Sequence, residues 1–365
     1  MKTNNPEIRV LLTASGGIHA LGVIDCLKQN YEKRKFKIIC TDIVEKKILQ
    51  EKSDGFYIVP KGNSKNFINE LLKICKKEKI DIIIPGNADE ILSISKNIKI
   101  FNSKNIKTTI SNFNNLNIIL NKEKTYSKLK KIGISIPEYY RVKNFKEFLL
   151  AIKKLGYPAK DICFKPSKYS ESGGTRGFRI LRKNNSAKKI LLDYKPDTVE
   201  IDLKTTEIAL KNTGSIDLLV MEYLPGDEYS TYVFAENGNM HYCIPNLRQK
   251  LDRYYSFEAK TQKNSKIEKM CKKIVKELDL TSNVNIQFKN TKNNMPKLIE
   301  INPRIGGTII LPSVSGINLP YLAVKLCLGE KIPRKKSSET KMIRYWKEVF
   351  IKDSKTFEIN NNSKI

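Results

Sequence analysis

The stretch "LIEINPRIGGT", residues 298–308, constrains this chain more than any other. Leu298, Ile299 and Ile301 mark a strand that packs on a core, yet Glu300, Asn302 and Arg304 fall at alternate positions. Side chains two apart on a strand share a face, so the acid, the amide and the guanidinium project together. Gly306 and Gly307 follow, where backbone N–H groups can approach an anion with no Cβ in the way. The preceding apolar segment, "NVNIQFKN", carries Gln287; paired as a hairpin, the two strands bring Gln287 near Glu300. One carboxylate and two amide oxygens are hard donors that suit magnesium shared with phosphate, not zinc. Arg304 adds a fork that grips phosphate or carboxylate. A solvated hairpin end with a structural ion pair is the plainer alternative, and three polar groups beside Leu298, Ile299 and Ile301 speak against it.

The first hundred residues have another rhythm. "IRVLLT" ends in the glycine turn "ASGGIHALGV" with helical spacing after it; "FKIICTD", "FYIVP" and "IDIIIPGNADE" read as further strands. "SKNFINELLKICKKEK" reads as a helix with Ser64 as its N-cap. Strands alternating with helices imply right-handed crossovers and a parallel sheet, with binding groups at the carboxyl ends of the strands. Gly16, Gly17, Asp42, Pro85, Gly86 and Asn87 fall there. The Gly16–Gly17 turn lacks the full dinucleotide fingerprint spacing, so a tight strand-to-helix turn is the simpler reading.

Beyond residue 115 the segments change again. "NNLNIILNKEKTYSKLKKIGISIPEYY" reads as a helix broken by Gly133 and Pro137, and "ICFKP" as a short strand ending in Lys165. "DLLVMEYLPGDEYSTYVF" reads as strand, turn, strand, and "NMHYCIPNLRQK" as a strand carrying His241 and Arg248. "SKIEKMCKKIVKELDL" is an amphipathic helix, and "LPYLAVKLCLGEKI" a closing helix capped by Gly329. The last fifteen or so residues look like a frayed tail. Lys165 could meet a phosphate as a point charge. The glycine- and hydroxyl-rich loop "SESGGTRG" could close over one. "MEYLPGDEY" offers an apolar strand for a base edge, with Glu228 beyond the turn free for ribose hydroxyls.

A length of 365 residues suits two or three subdomains. No apolar run approaches the ~18 residues of a membrane span. Seven cysteines, unpaired in spacing and mostly within apolar patterns, suit a reduced cytoplasmic core. The formal charge of +29 tempts toward nucleic acid. However, only 11 of the 67 basic residues are arginine, and the lysines are spread along polar helix faces with no interleaved aromatics. A compositional habit is the simpler explanation, though an anionic substrate would benefit from the field. A non-enzymatic nucleic-acid binder is a remote alternative. With only His19 and His241 as histidines, a histidine triad or histidine metal centre has little material. His19, in the glycine turn, is placed to touch a substrate; His241 reads as an ordinary strand residue.

The order of these pieces resembles the ATP-grasp superfamily, and within it the carbamoyl-phosphate-synthase-like branch, over roughly residues 8–330. The resemblance implies an α/β chain with a Rossmann-like parallel-sheet domain ahead of a two-lobed ATP-grasp domain. Boundaries would fall at 1–115, 116–220 and 221–345, with a tail at 346–365. It implies ATP and magnesium, with manganese also compatible. "NKEKTYSKLKKIGISIPEY" is similar to the opening helix, which would place Lys122 on phosphate; Asn121 stands where an aspartate is usual. "CFKPS" implies Lys165 at the α-phosphate. "SGGTRGF" looks like the phosphate lid, here Ser172, Gly173, Gly174 and Thr175. "MEYLPGDEY" implies Glu222, Tyr223 and Leu224 at the base and Glu228 at the ribose. The two final strands imply Gln287, Glu300 and Asn302 as metal ligands and Arg304 facing the transferred phosphoryl group or the acceptor. Arg248 lies where the family often has a substrate-facing cation. The implied reaction phosphorylates a small carboxylate and couples the acylphosphate to an amine, with small-molecule partners and a homodimer as is common in the family. A kinase-like transfer to an amide, carbamate or hydroxyl is the alternative. One ATP-grasp unit, where the synthase large subunit is duplicated, argues against the full synthase reaction.

Overall fold

The structure, a computed structural model, describes residues 6–167, 177–182, 199–212, 216–252, 255–352 and 355–357. The first sheet contains β1 (Ile8–Leu12), β2 (Phe36–Asp42), β3 (Gly55–Ile58), β4 (Ile82–Ile84) and β5 (Lys107–Thr108). It is wholly parallel, in the order β3-β2-β1-β4-β5. Val10, Leu11, Leu12, Ile38 to Cys40 and Ile82 to Ile84 are almost completely buried. Continuous apolar runs are what a parallel sheet covered on both faces demands.

The second sheet runs β6-β10-β7-β8-β9, from β6 (Tyr139–Val142), β7 (Ile162–Pro166), β8 (Arg179–Leu181), β9 (Glu200–Ile201) and β10 (Leu218–Glu222). The third runs β15-β14-β11-β12-β13-β16, from β11 (Glu228–Glu236), β12 (Asn239–Asp252), β13 (Tyr255–Thr261), β14 (Ser282–Asn290), β15 (Pro296–Asn302) and β16 (Lys341–Ile343). Both faces of β11 are covered. Tyr232 and Phe234 join the core of the parallel sheet, with Val10, Leu12, Ile38, Ile305 and Tyr321. Val233 and Ala235 join the core under the amphipathic helix Ser265–Glu277. One apolar cluster therefore fixes the parallel sheet against the third sheet, and a cleft opens along their junction.

Three local expectations are corrected. The helix expected to run on to Gly133 is two helices, Phe113–Ile119 and Lys122–Lys131. Asn121 starts the second, its side chain accepting from the Lys124 N–H, because an asparagine offers the backbone a local alternative to the helix. Ser64 does not cap the helix Phe67–Glu78; it lies one turn earlier, and its hydroxyl accepts from the Asn66 N–H at 3.4 Å. The expected tail is partly structured: β17 (Phe350–Lys352) pairs with β18 (Lys355–Phe357), while residues 358–365 lie outside the described set. Among the described residues, no helix is long and apolar enough to cross a membrane.

Candidate functional site

The register of the third sheet builds one wall of the cleft. β14 and β15 are antiparallel, with Gln287 opposite Glu300 and Asn285 opposite Asn302. The ladder shifts between Gln287 and Phe288, which pairs with Leu298 and leaves Ile299 without a partner. A bulge of this kind adds one residue to one strand. It explains how Leu298 and Ile301, three apart, both enter the core below, where strict alternation would turn Leu298 toward the polar side with Glu300. It also turns the Ile299 carbonyl out of the ladder, where it accepts from the Tyr126 hydroxyl at 2.6 Å and from Lys165 Nζ at 2.9 Å.

Lys165 comes from the end of β7 in the second sheet and so bridges two sheets. Its Nζ is also 3.3 Å from the Tyr126 hydroxyl and lies over that ring. Burial pushes its pKa down, and the Glu300 carboxylate opposes the shift. Glu300 is 3.8 Å from Lys122 Nζ, with both side chains largely out of water. Asn302 Nδ2 lies 3.5 Å from the Glu300 carboxylate, and Arg304 Nη2 3.5 Å from Asn302 Oδ1. The face expected from alternate spacing is thus real.

The cleft encloses about 690 Å³. It brings together Lys165, Glu222, Tyr223, Leu224, Glu228, Arg248, Gln287, Glu300, Asn302 and Arg304. Lys122 stands behind Glu300 in an adjoining depression with Thr125, Tyr126 and Asn302. Ser172, Gly173, Gly174 and Thr175 lie outside the described residues.

Some of the site's side chains are already engaged. The Glu222 carboxylate is ion-paired with Lys297 and accepts from the Glu138 N–H, while its own N–H donates to the Glu138 carbonyl at 3.0 Å. Glu228 is paired with Arg248 and lies 3.6 Å from Lys289; Arg248 Nε donates to Ser256. Lys289, Lys297 and Tyr126 were not singled out from the sequence. Lys289 had a signal, two residues past Gln287, but the other two act from segments whose contact is purely tertiary.

The two glycines have a packing explanation. A Cβ on residue 306 would stand 2.6 Å from the Tyr232 hydroxyl, and one on residue 307 would stand 2.4 Å from Ile18 of the parallel-sheet region. That hydroxyl accepts from the Thr308 N–H at 2.8 Å. The glycine turn therefore lets the segment after β15 dock against both β11 and the first glycine loop.

At its other end the cleft is walled by the carboxyl edge of the parallel sheet: Gly17, His19, Asp42, Gly86, Asn87 and Glu90. Burial holds the His19 imidazole down at about 4, helped by Arg304. The Glu90 carboxyl is buried in the first turn of the helix Ala88–Lys96, and burial raises it to about 7. His241 lies away from the cleft, 3.2 Å from Glu236.

A parallel-sheet domain is thus followed by one mixed and one antiparallel sheet, around a cleft lined by both polar and apolar groups. The family model described as "ATP-grasp in the biosynthetic pathway with Ter operon" matches residues 215–349, and the PylC-like N-terminal domain matches residues 10–109. The chain thus carries a PylC-like N-terminal domain followed by an ATP-grasp domain. It is 24% identical over 293 residues to the carbamoyl phosphate synthase large chain of Clostridium botulinum, covering 77% of this chain and 24% of that one. It thus spans about a quarter of the length of the curated relatives it matches. The biotin carboxylase domain of the Hydrogenobacter thermophilus 2-oxoglutarate carboxylase, solved with MgADP, ADP and bicarbonate, superposes with a TM-score of 0.66 at 17% identity, over 97% of this chain and 83% of that one. An L-amino acid ligase from Bacillus licheniformis superposes at 0.62 with 15% identity, over 88% and 74%.

Proposed function

We propose that the chain is an ATP- and magnesium-dependent ligase that phosphorylates a small carboxylate and couples the acylphosphate to an amine. The observation that carries this reading is the in-register pairing of Gln287 with Glu300, with Asn302 beside them, on the wall that also presents Lys165 and Arg304. Gln287, Glu300 and Asn302 offer three oxygens and a single carboxylate charge. Among the described residues no three His, Cys, Asp or Glu side chains gather as a metal nest. Such a set fits a hard cation whose remaining oxygens come from phosphates. Bound there, magnesium would neutralise charge on the transferring phosphoryl group.

The chain's own groups have these roles in the reading. Lys165 and Lys122 hold phosphate oxygens, and Lys165, being desolvated, does so strongly. The Glu222 to Leu224 backbone meets the base, and Glu228 the ribose. Arg304 orients the carboxylate or the transferred phosphoryl group, and Arg248 a second anionic group. Ser172, Gly173, Gly174 and Thr175 would close over the phosphates. Positioned cations suffice for phosphoryl transfer, which asks little covalent chemistry of the protein. One structural neighbour solved with MgADP, and another named as an L-amino acid ligase, support the reading.

The test is to incubate the protein with Mg-ATP and paired pools of amino acids and small carboxylic acids, following ADP, AMP and phosphate. ADP and phosphate that require both an acid and an amine are expected. Phosphate retained on the acceptor would replace the ligase by the kinase-like reading, and AMP would overturn both.

A further inference from the structure

The two ends of the cleft differ in charge. The wall made by the second and third sheets presents four cations, Lys165, Arg248, Lys289 and Arg304, against three carboxylates, Glu222, Glu228 and Glu300. Among the described residues, the part of the lining given by the parallel sheet has Asp42 and Glu90 as its charged side chains, in a chain whose formal charge is +29. With 67 basic residues in the chain, an acidic lining there is a property of the site rather than of composition.

Two further observations point to a ligand at this end. His19 is 7% exposed, and its Nε2 makes no hydrogen bond. It rests on Gly86, where a Cβ would come within 2.6 Å of that nitrogen. A buried ring nitrogen without a partner is destabilising, and a bound donor or acceptor would offset that. Glu90 is 1% exposed and held by the Thr13 hydroxyl at 2.5 Å. Asn87 caps its helix turn through the Glu90 N–H. A carboxyl kept dry in this way, raised to about 7 by burial and by Asp42 and Asp89, is poised to accept a proton near neutrality.

We propose that Asp42, Glu90 and His19 form the half-site for the second substrate, that this substrate is a primary amine arriving as its ammonium ion, and that Glu90 takes the proton it must lose. The inference rests on the ligase reading above and names the class of its nucleophile. The Asp42 carboxylate attracts the ammonium group, and His19 Nε2 hydrogen-bonds it. Glu90 removes one proton, the freed nitrogen lone pair bonds to the acyl carbon, and the carbon–oxygen bond to phosphate breaks. The second nitrogen proton leaves with the departing phosphate, so one amide and one hydrogen phosphate dianion form, with the first proton passed from Glu90 to solvent.

Hydroxylamine separates the two halves of the reaction, because it is uncharged near neutrality and traps acylphosphates as hydroxamates without a proton acceptor. The protein and its Glu90→Gln variant are each given Mg-ATP and the twenty standard amino acids as acids. The nucleophile is either hydroxylamine or the same amino acids together with putrescine and cadaverine. Amine condensation is expected to fall at least ~100-fold more than hydroxamate formation in the variant. An equal effect on both, or wild-type protein that forms hydroxamate but condenses no amine, overturns the half-site. Wild-type protein that forms no hydroxamate removes the ligase reading itself, and the half-site with it. Should Glu90→Gln unfold, Asp42→Asn carries the test as a selective rise in the KM for the amine; an unchanged KM overturns the proposal.

Discussion

Gln287 and Glu300 face one another across the β14–β15 ladder, one residue before the bulge that turns the Ile299 carbonyl toward Lys165. The same irregularity that lets Leu298 and Ile301 both reach the core thus ties β15 to Lys165 of the second sheet. A regular ladder would supply neither contact.

Glu300→Gln removes the only carboxylate of that face without changing its volume. Turnover is expected to fall by ~100-fold or more, with the melting temperature little changed. Steady-state rates and a thermal scan measure the two together; a full-rate variant would exclude Glu300 from the site.

Lys165→Ala removes a desolvated cation that also satisfies the Ile299 carbonyl. The KM for ATP is expected to rise about 10- to 100-fold, as a charge-assisted hydrogen bond of roughly 1.5–3 kcal/mol implies. The KM for the acid and amine should move far less. Unchanged nucleotide affinity would sink the assignment.

Gly306→Ala places a methyl group against the Tyr232 hydroxyl, which is itself held by Thr308. A destabilisation of about 1–3 kcal/mol is expected. Gly307→Ala should cost less, because it meets the tip of Ile18, a side chain 45% exposed and free to move. Urea unfolding of both variants gives the order, and the reverse order would refute the packing account.

Glu90 and His19 leave opposite marks on stability. Between pH 4.5 and about 7 the folded chain keeps a proton on Glu90 that the unfolded chain releases. This contribution is therefore full below pH 4.5 and is lost as pH rises through 7. Glu90→Gln should accordingly gain stability over the wild type at pH 8, on the order of 3 kcal/mol at 1.36 kcal/mol per pKa unit, and none at pH 4. His19 behaves in the opposite sense: its stability is present above pH 6.5 and lost as pH falls through about 4, where the buried ring must charge. Denaturation midpoints at pH 4, 6 and 8 check both; a pH-independent difference for Glu90→Gln would contradict its burial.

Much was legible in the sequence. The apolar runs with glycine turns in the first hundred residues specify a parallel sheet, because a chain buried on both faces leaves no other periodicity. The alternate Glu300, Asn302 and Arg304 specify a polar face, because strand geometry admits only two sides. Other features belong to tertiary structure alone. The spacing of Leu298 and Ile301 hints at a bulge, but only the pairing with Phe288 locates it at Ile299. Glu222 looks available in sequence, yet Lys297, 75 residues away, holds its carboxylate. Glu90 ends a segment that reads as a strand and turn, with nothing to single it out; packing on Thr13 and Gly62 buries it. Local spacing determines which face a side chain joins, because that follows from backbone geometry. What the face meets depends on contacts between segments distant in the chain, and here those contacts set the charge of each wall of the cleft.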